Sequence, residues 1–102
     1  MREFFIHYII QEDKVAENIA RVKDVFDSLS ETPIKGMSYA SYLMGENLFV
    51  HIARFEDETV ISDFMTQVEF QKFLNELDSK LKEEPIENNI KEIGFYRNIG
   101  NS

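Results

Sequence analysis

The chain predicts a small α+β domain with the element order strand, helix, strand, strand, helix, strand. Three observations lead there. A run from Glu3 to Gln11 is rich in Phe, Ile and Tyr, carries little charge and reads as a strand buried on both faces. Val15, Ile19, Val22, Phe26 and Leu29 then recur at alternating four- and three-residue spacing, the pattern of an amphipathic helix. Two further strand-like runs, Lys35 to Met44 and Leu48 to Phe55, are separated by Gly45-Glu46-Asn47 alone and so form a hairpin.

The remaining elements follow in order. Asp13 is the expected N-cap of the first helix, Glu17, Arg21, Lys23 and Asp27 form its wet face, and Ser30 to Pro33 closes it. After the hairpin, Asp57 caps a short helical segment through Val60, Ile61 and Phe64. Thr66-Gln67-Val68-Glu69 fits a capping box, with Met65 and Phe70 at the staple positions. The helix that follows is expected to bury Phe70, Phe73, Leu74, Leu77 and Leu81, to carry Lys80 and Lys82 in its last turn, and to end at Pro85. Ile90 to Ile99 is the expected last strand. The chain is thus read as one domain over residues 1–99 with a tail at 100–102.

This order is the ferredoxin-like βαββαβ arrangement: a four-stranded antiparallel sheet with two helices on one face. The helices leave the other face uncovered. Along the first and third strands neither alternation set is polar, so neither face is built for water. The economical solution is a homodimer with two sheets packed face to face, a dimeric α/β barrel whose aromatic walls enclose a cavity.

Composition narrows the function. The chain has 102 residues, 43% of them hydrophobic, with nine Phe and four Tyr, which excludes disorder. A net charge of −8 with no basic cluster disfavours nucleic acid and anionic membrane surfaces as partners. The absence of cysteine excludes disulfides, thiolate metal sites and a cysteine nucleophile. It fits a reducing compartment, and with no signal-peptide pattern the expected location is the cytoplasm. Phe4 to Ile10 is too short to span a bilayer. There is no phosphate-binding Gly loop, no Gly-x-Ser-x-Gly elbow and no His-Glu-x-x-His.

From Phe49 to Leu81, a strand, Phe55-Glu56-Asp57-Glu58, a short helix and Glu69-Phe70-Gln71-Lys72-Phe73 follow one another. This stretch resembles the antibiotic-biosynthesis-monooxygenase-like family of dimeric α+β barrels, and the element order extends the resemblance over most of the chain. The resemblance implies a small-molecule-binding homodimer similar to monooxygenases that oxidise aromatic polyketides or quinols without a cofactor. Some members degrade haem instead. Many members carry a Glu late in the third strand and a His in the short helix; those positions fall here on Ala53 and Phe64. The double replacement leaves open a non-catalytic, ligand-binding or structural homodimer on the same scaffold.

His7 and His51 are the two histidines and the catalytic candidates. Both are expected on the partner-facing side of the central strand pair, close to each other and to Tyr39 or Tyr42 and Tyr96. There they would serve as a general base, or stay as buried, hydrogen-bonded imidazoles. Either could also ligate haem iron. No resident metal is expected, since two histidines want a third ligand and Glu92 is the sole carboxylate worth nominating. Phe5, Phe49, Phe55, Phe64 and Phe95 would stack on a planar aromatic ligand or fill a dimer core. Arg54 would bind a ligand carboxylate or pair with Glu56 or Asp57. The acidic runs Glu56 to Glu58 and Glu83-Glu84 lack calcium-loop spacing and read as solvated turns. No cofactor is implied; the substrate itself would pass electrons to oxygen.

Overall fold

The computed structural model describes residues 1–98. It contains β1 (Arg2–Ile9), α1 (Val15–Glu31), β2 (Met37–Met44), β3 (Leu48–Phe55), α2 (Glu58–Met65), α3 (Val68–Leu77) and β4 (Ile86–Asn89), with a 3-10 turn at Glu12–Lys14 ahead of α1. The strands form one antiparallel sheet in the order β2-β3-β1-β4. This is the ferredoxin-like arrangement that the sequence predicts.

The register fixes which residues share a face. Ile6 pairs with His51, and His7 pairs with Val50. Side chains alternate along a strand and paired residues point the same way. One face therefore carries Phe4, Ile6 and Tyr8 from β1, Phe49, His51, Ala53 and Phe55 from β3, and Met37, Tyr39 and Ser41 from β2. Against it pack Val22 and Val25 of α1, Val60 and Phe64 of α2, and Phe70 and Phe73 of α3. Burying each such side chain contributes about 1.5–3 kcal/mol. The opposite, uncovered face carries Phe5, His7, Val50, Ile52, Arg54, Ala40 and Tyr42.

Local chemistry explains the element ends. Asp57 caps α2, its carboxylate accepting from the Val60 amide at 3.1 Å. Gly36 enters β2 at φ +94°, where a Cβ would lie 2.9 Å from Glu56 Oε1. Gly45 opens the hairpin turn at φ +64°.

Several expectations are corrected. Asp13 lies inside the 3-10 turn and does not cap α1, which starts at Val15 behind Lys14. The capping box at Thr66 does not form. Thr66 closes α2 instead, its hydroxyl donating back to Ser62 O at 2.9 Å, and Glu69 turns to Arg21 and Lys72. α3 begins at Val68 behind Gln67 and stops at Leu77, so Lys80, Leu81 and Lys82 are outside it.

The last strand is also earlier than expected, Ile86–Asn89 in place of Ile90 to Ile99. The cause is the tether before it. Leu81 bridges Ile10, and the Lys82 amide donates to Ile9 O at 2.8 Å. The chain is thus already beside the end of β1, and it pairs from His7 opposite Ile86 to Phe4 opposite Asn89. By Ile90, whose amide donates to Glu3 O at 3.2 Å, β1 is nearly used up. Residues 91–98 pair with no strand among the described residues and adopt no regular structure. Ile99 and the expected tail at 100–102 lie outside the described residues.

Candidate functional site

A line of hydrogen-bonded polar groups crosses the otherwise apolar layer between sheet and helices. The Asn18 side chain, from α1, donates through Nδ2 to the Tyr8 hydroxyl at 3.2 Å. The Tyr8 hydroxyl is 2.6 Å from Nε2 of His51. Nδ1 of His51 meets the Ser41 hydroxyl at 2.5 Å and the Tyr39 hydroxyl at 3.0 Å. With Asn18 donating to Tyr8, the Tyr8 proton goes to Nε2, and the imidazole proton is assigned to Nδ1, shared by Ser41 and Tyr39. Three adjacent strands and one helix build this line, so it exists only in the folded chain.

Burial sets its electrostatics. Asn18 is 0%, Tyr8 2% and His51 4% exposed. Burial lowers the His51 pKa from 6.5 to about 4, so the imidazole is neutral at physiological pH. Burial raises Tyr39 to about 12, opposed by the hydrogen bond from Ser41. It pushes Tyr8 well above the ordinary tyrosine range, opposed by the Asn18 hydrogen bond and helped by Tyr39. One acceptor is left over: Oδ1 of Asn18 has no hydrogen-bond partner among the described residues.

Aromatic rings wall the line. His51 is stacked between Tyr8, 5.2 Å away, and Tyr39, 5.7 Å away, with the Phe73 edge at 5.7 Å. Phe49 stacks on Tyr8, Phe26 on Tyr39, and Phe64 tilts against Tyr39 at 5.1 Å. Tyr39 and Ser41 are half-buried, which makes the β2 side the shallower end of the line.

The residues singled out from sequence fall into three places. His51, Phe49, Phe55 and Phe64 lie on the helix-covered face, inside the core. His7, Phe5, Tyr42 and Arg54 lie on the uncovered face. Phe95 and Tyr96 lie in residues 91–98, 73% and 84% exposed. The expectation that His7 and His51 share a face is therefore corrected. The one-residue offset between the paired strands sets the odd positions of β3 against the even positions of β1, so the two imidazoles point to opposite sides of the sheet. Arg54 is also corrected: it faces Glu3 and Glu92, each at 3.8 Å, and not Glu56 or Asp57. Ala53 is the cross-strand partner of Tyr39, and Phe64 touches the same ring.

Sequence reasoning missed Asn18, Ser41 and Lys80. For Asn18 a signal existed: it stands three residues after Val15 and four before Val22, a polar residue on the apolar stripe of α1. Lys80 had none. It is 1% exposed, its Nζ has no hydrogen-bond partner among the described residues, and burial lowers its pKa against the opposing pull of Glu76 and Glu17. Gln11 holds it in place: its backbone amide donates to Lys80 O at 2.9 Å, and its side chain donates to Ser79 O and Leu81 O on either side.

Among the described residues, no group of three His, Asp or Glu side chains is placed to hold a metal ion. Both ring nitrogens of His51 are engaged, so a haem iron would have to displace Tyr8 or the Ser41 and Tyr39 pair. Among the described residues, no helix is long and apolar enough to cross a membrane.

The chain has the fold of the antibiotic-biosynthesis-monooxygenase-like proteins. It superposes on Rv0793 from Mycobacterium tuberculosis with a TM-score of 0.78 at 9% identity, over 94% of this chain and 98% of that one. A structure described as an antibiotic biosynthesis monooxygenase gives 0.77 at 9% identity, over 92% and 100%. A Caulobacter crescentus protein provisionally described in the same words gives 0.76 at 10% identity, over 91% and 90%. No protein-family model matches the sequence, and no curated protein matches it closely.

Proposed function

We propose that the protein binds a compact, planar, hydroxylated or enolisable aromatic molecule between its sheet and its helices. There it acts as a cofactor-independent monooxygenase, with the substrate supplying the electrons to O2. In that reaction a substrate methylene becomes a carbonyl, one oxygen atom of O2 is kept and the other leaves as water.

The observation that carries this reading is the partnerless Oδ1 of Asn18 at the end of a polar line buried among aromatic rings. Leaving a buried carbonyl unpaired costs about 1–3 kcal/mol, a cost that a donor from a bound molecule would remove. The rings of Tyr8, Tyr39, Phe49 and Phe73 close over the line, so a substrate would have to part them before its hydroxyl could donate to Oδ1 of Asn18. Neutral His51, reached through Tyr8, would accept the proton that the substrate releases. Water exclusion by the surrounding rings would protect the carbanion-like intermediate.

The test is oxygen uptake with anthrone. The wild type should consume O2 above the uncatalysed rate and form anthraquinone, and H51F should lower the enzymatic rate by about 100-fold or more. No wild-type uptake above background overturns the catalytic reading.

A second reading has its own support. Both nitrogens of His51 are satisfied within the chain, and Ala53 and Phe64 stand where the resembled family has titratable groups. On that reading the line is a specificity device in the core of a non-catalytic homodimer. In either case we infer a homodimer through the uncovered sheet face. Tyr42 and Met44 on that face are 55% and 57% exposed, and Ile93 beyond it is 99% exposed.

A further inference from the structure

Strand β2 ends the sheet on one side, and its outer edge is open. The ladder to β3 says which groups that edge offers. The Glu56 amide donates to Gly36 O at 2.9 Å, one pair before Met37 meets Phe55. Hydrogen-bonded pairs alternate along an antiparallel ladder, so Ser38, Ala40, Tyr42 and Met44 bond to β3. The backbone groups of Met37, Tyr39, Ser41 and Leu43 therefore point outward, and no other backbone group among the described residues bonds to them. The eight residues of β2 include no charge and no proline, the usual devices that protect an edge.

The same chain carries a segment with matching needs. Glu92 lies 3.8 Å from Arg54 on the uncovered face, and beyond it Ile93, Phe95 and Tyr96 are exposed. Residues 93–98 belong to no helix or strand, and no backbone hydrogen bond reaches them among the described residues. In an extended chain Ile93 and Phe95 share one side and Tyr96 takes the other. An open edge and an unpaired apolar segment thus sit in one molecule, each lacking what the other supplies.

We propose that residues 93–98 of each chain pair with the β2 edge of a second copy, a reciprocal strand exchange that completes the candidate site. This rests on the homodimer reading given above. The occupant is a second copy for three reasons. The edge is continuous with the uncovered face, since Tyr42 and Met44 belong to both. The segment sets out from that face at Arg54. Two equal exchanges about a twofold axis also close the assembly and leave neither β2 edge open. The helix side of β2 is the more apolar, with Phe26 and Phe64 already packed on Tyr39, so it takes the more apolar pair. The partner's Ile93 and the partner's Phe95 then lie beside Tyr39, Ser41 and Leu43, where they cover the shallow end of the His51 line. The partner's Tyr96 falls on the other side, next to Tyr42.

The test uses the full chain, a mixture of 13C,15N-labelled and unlabelled protein, in isotope-filtered NMR together with amide hydrogen exchange. Where sedimentation shows a dimer, the amides of Tyr39, Ser41 and Leu43 should be protected at least about 100-fold over free exchange. The Phe95 ring should give cross-peaks to β2 of the other chain. L43P removes one outward amide and leaves the ladder to β3 intact, and it should weaken dimerisation at least about tenfold. If L43P does not fold, the wild-type measurements still decide. A dimer whose Tyr39, Ser41 and Leu43 amides exchange freely overturns the strand exchange and leaves the sheet-face dimer standing. Cross-peaks confined to one chain, with the segment on its own edge, overturn it as well. A protein that is monomeric at about 1 mM overturns both the exchange and the homodimer reading.

Discussion

The Tyr8 hydroxyl sits 2.6 Å from Nε2 of His51, and the two rings stack at 5.2 Å in a layer that is otherwise hydrocarbon. One oxygen thus takes the Asn18 proton and gives its own to the imidazole. Removing it should be felt at both ends. Y8F keeps the ring and its packing on Phe49 and Phe73 but leaves Nε2 of His51 and Nδ2 of Asn18 without partners. We expect a loss of about 1–3 kcal/mol in chemical denaturation. A loss below about 0.5 kcal/mol would mean that the Tyr8 hydroxyl is not part of the line.

The same burial makes stability depend on pH. Folding lowers the His51 pKa from 6.5 to about 4, so the unfolded chain binds a proton that the folded chain refuses. The stabilisation from His51 is complete above about pH 6.5. It is lost as pH falls through the unfolded value, and the loss levels off below the folded value. The full loss is on the order of 3 kcal/mol, at 1.36 kcal/mol per unit. Denaturant midpoints between pH 7 and pH 5 should fall for the wild type and stay nearly flat for H51Q. Parallel profiles for the two proteins would place the titration elsewhere.

Lys80 offers a change in the other direction. An ammonium enclosed without a hydrogen-bond partner carries a desolvation cost that methionine of similar length does not. K80M should be neutral to stabilising, by up to about 3 kcal/mol, in thermal and denaturant melts. A marked destabilisation would show that the electrostatic pull of Glu76 and Glu17 outweighs the cost of burying the ammonium.

Residues 91–98 carry Ile93, Phe95 and Tyr96, which are 99%, 73% and 84% exposed. Such a segment wants a partner surface. If the protein is a homodimer, I93S/F95S should shift the sedimenting species from dimer toward monomer, with the far-ultraviolet spectrum unchanged because no helix or strand contains either residue. A dimer of undiminished affinity would remove these residues from the interface.

Much of the fold was legible in the chain because it rests on periodicity. The apolar stripe of α1 and the hairpin around Gly45 needed only local spacing. The Asp57 cap is a matter of one side chain reaching one amide three residues on. The elements that misled are those where a local motif met a tertiary competitor. Thr66 fits an N-cap as well as any threonine, yet the end of α2 offered Ser62 O to its hydroxyl first. Ile90 to Ile99 looks more like a strand than Ile86–Asn89, which is mostly polar and exposed, yet the tether at Leu81 left β1 open only to the latter. An edge strand is held by backbone hydrogen bonds, which side-chain composition does not reveal.

The candidate site shows the same division. The sequence alone determined that two histidines and a set of aromatic residues sit on central strands, and that Asn18 stands on an apolar stripe. It also determined that Ala53 and Phe64 bring no charge. The pairing register decided the rest. Ile6 opposite His51 puts that imidazole with Tyr8, Tyr39 and Ser41 under the helices and sends His7 to the other side. Alternation along one strand is written in the sequence of that strand, but a shift of one residue between two strands inverts every shared face. That shift is set by tertiary packing, because the set with Phe49, Ala53 and Phe55 fits beneath Phe64, Phe70 and Phe73.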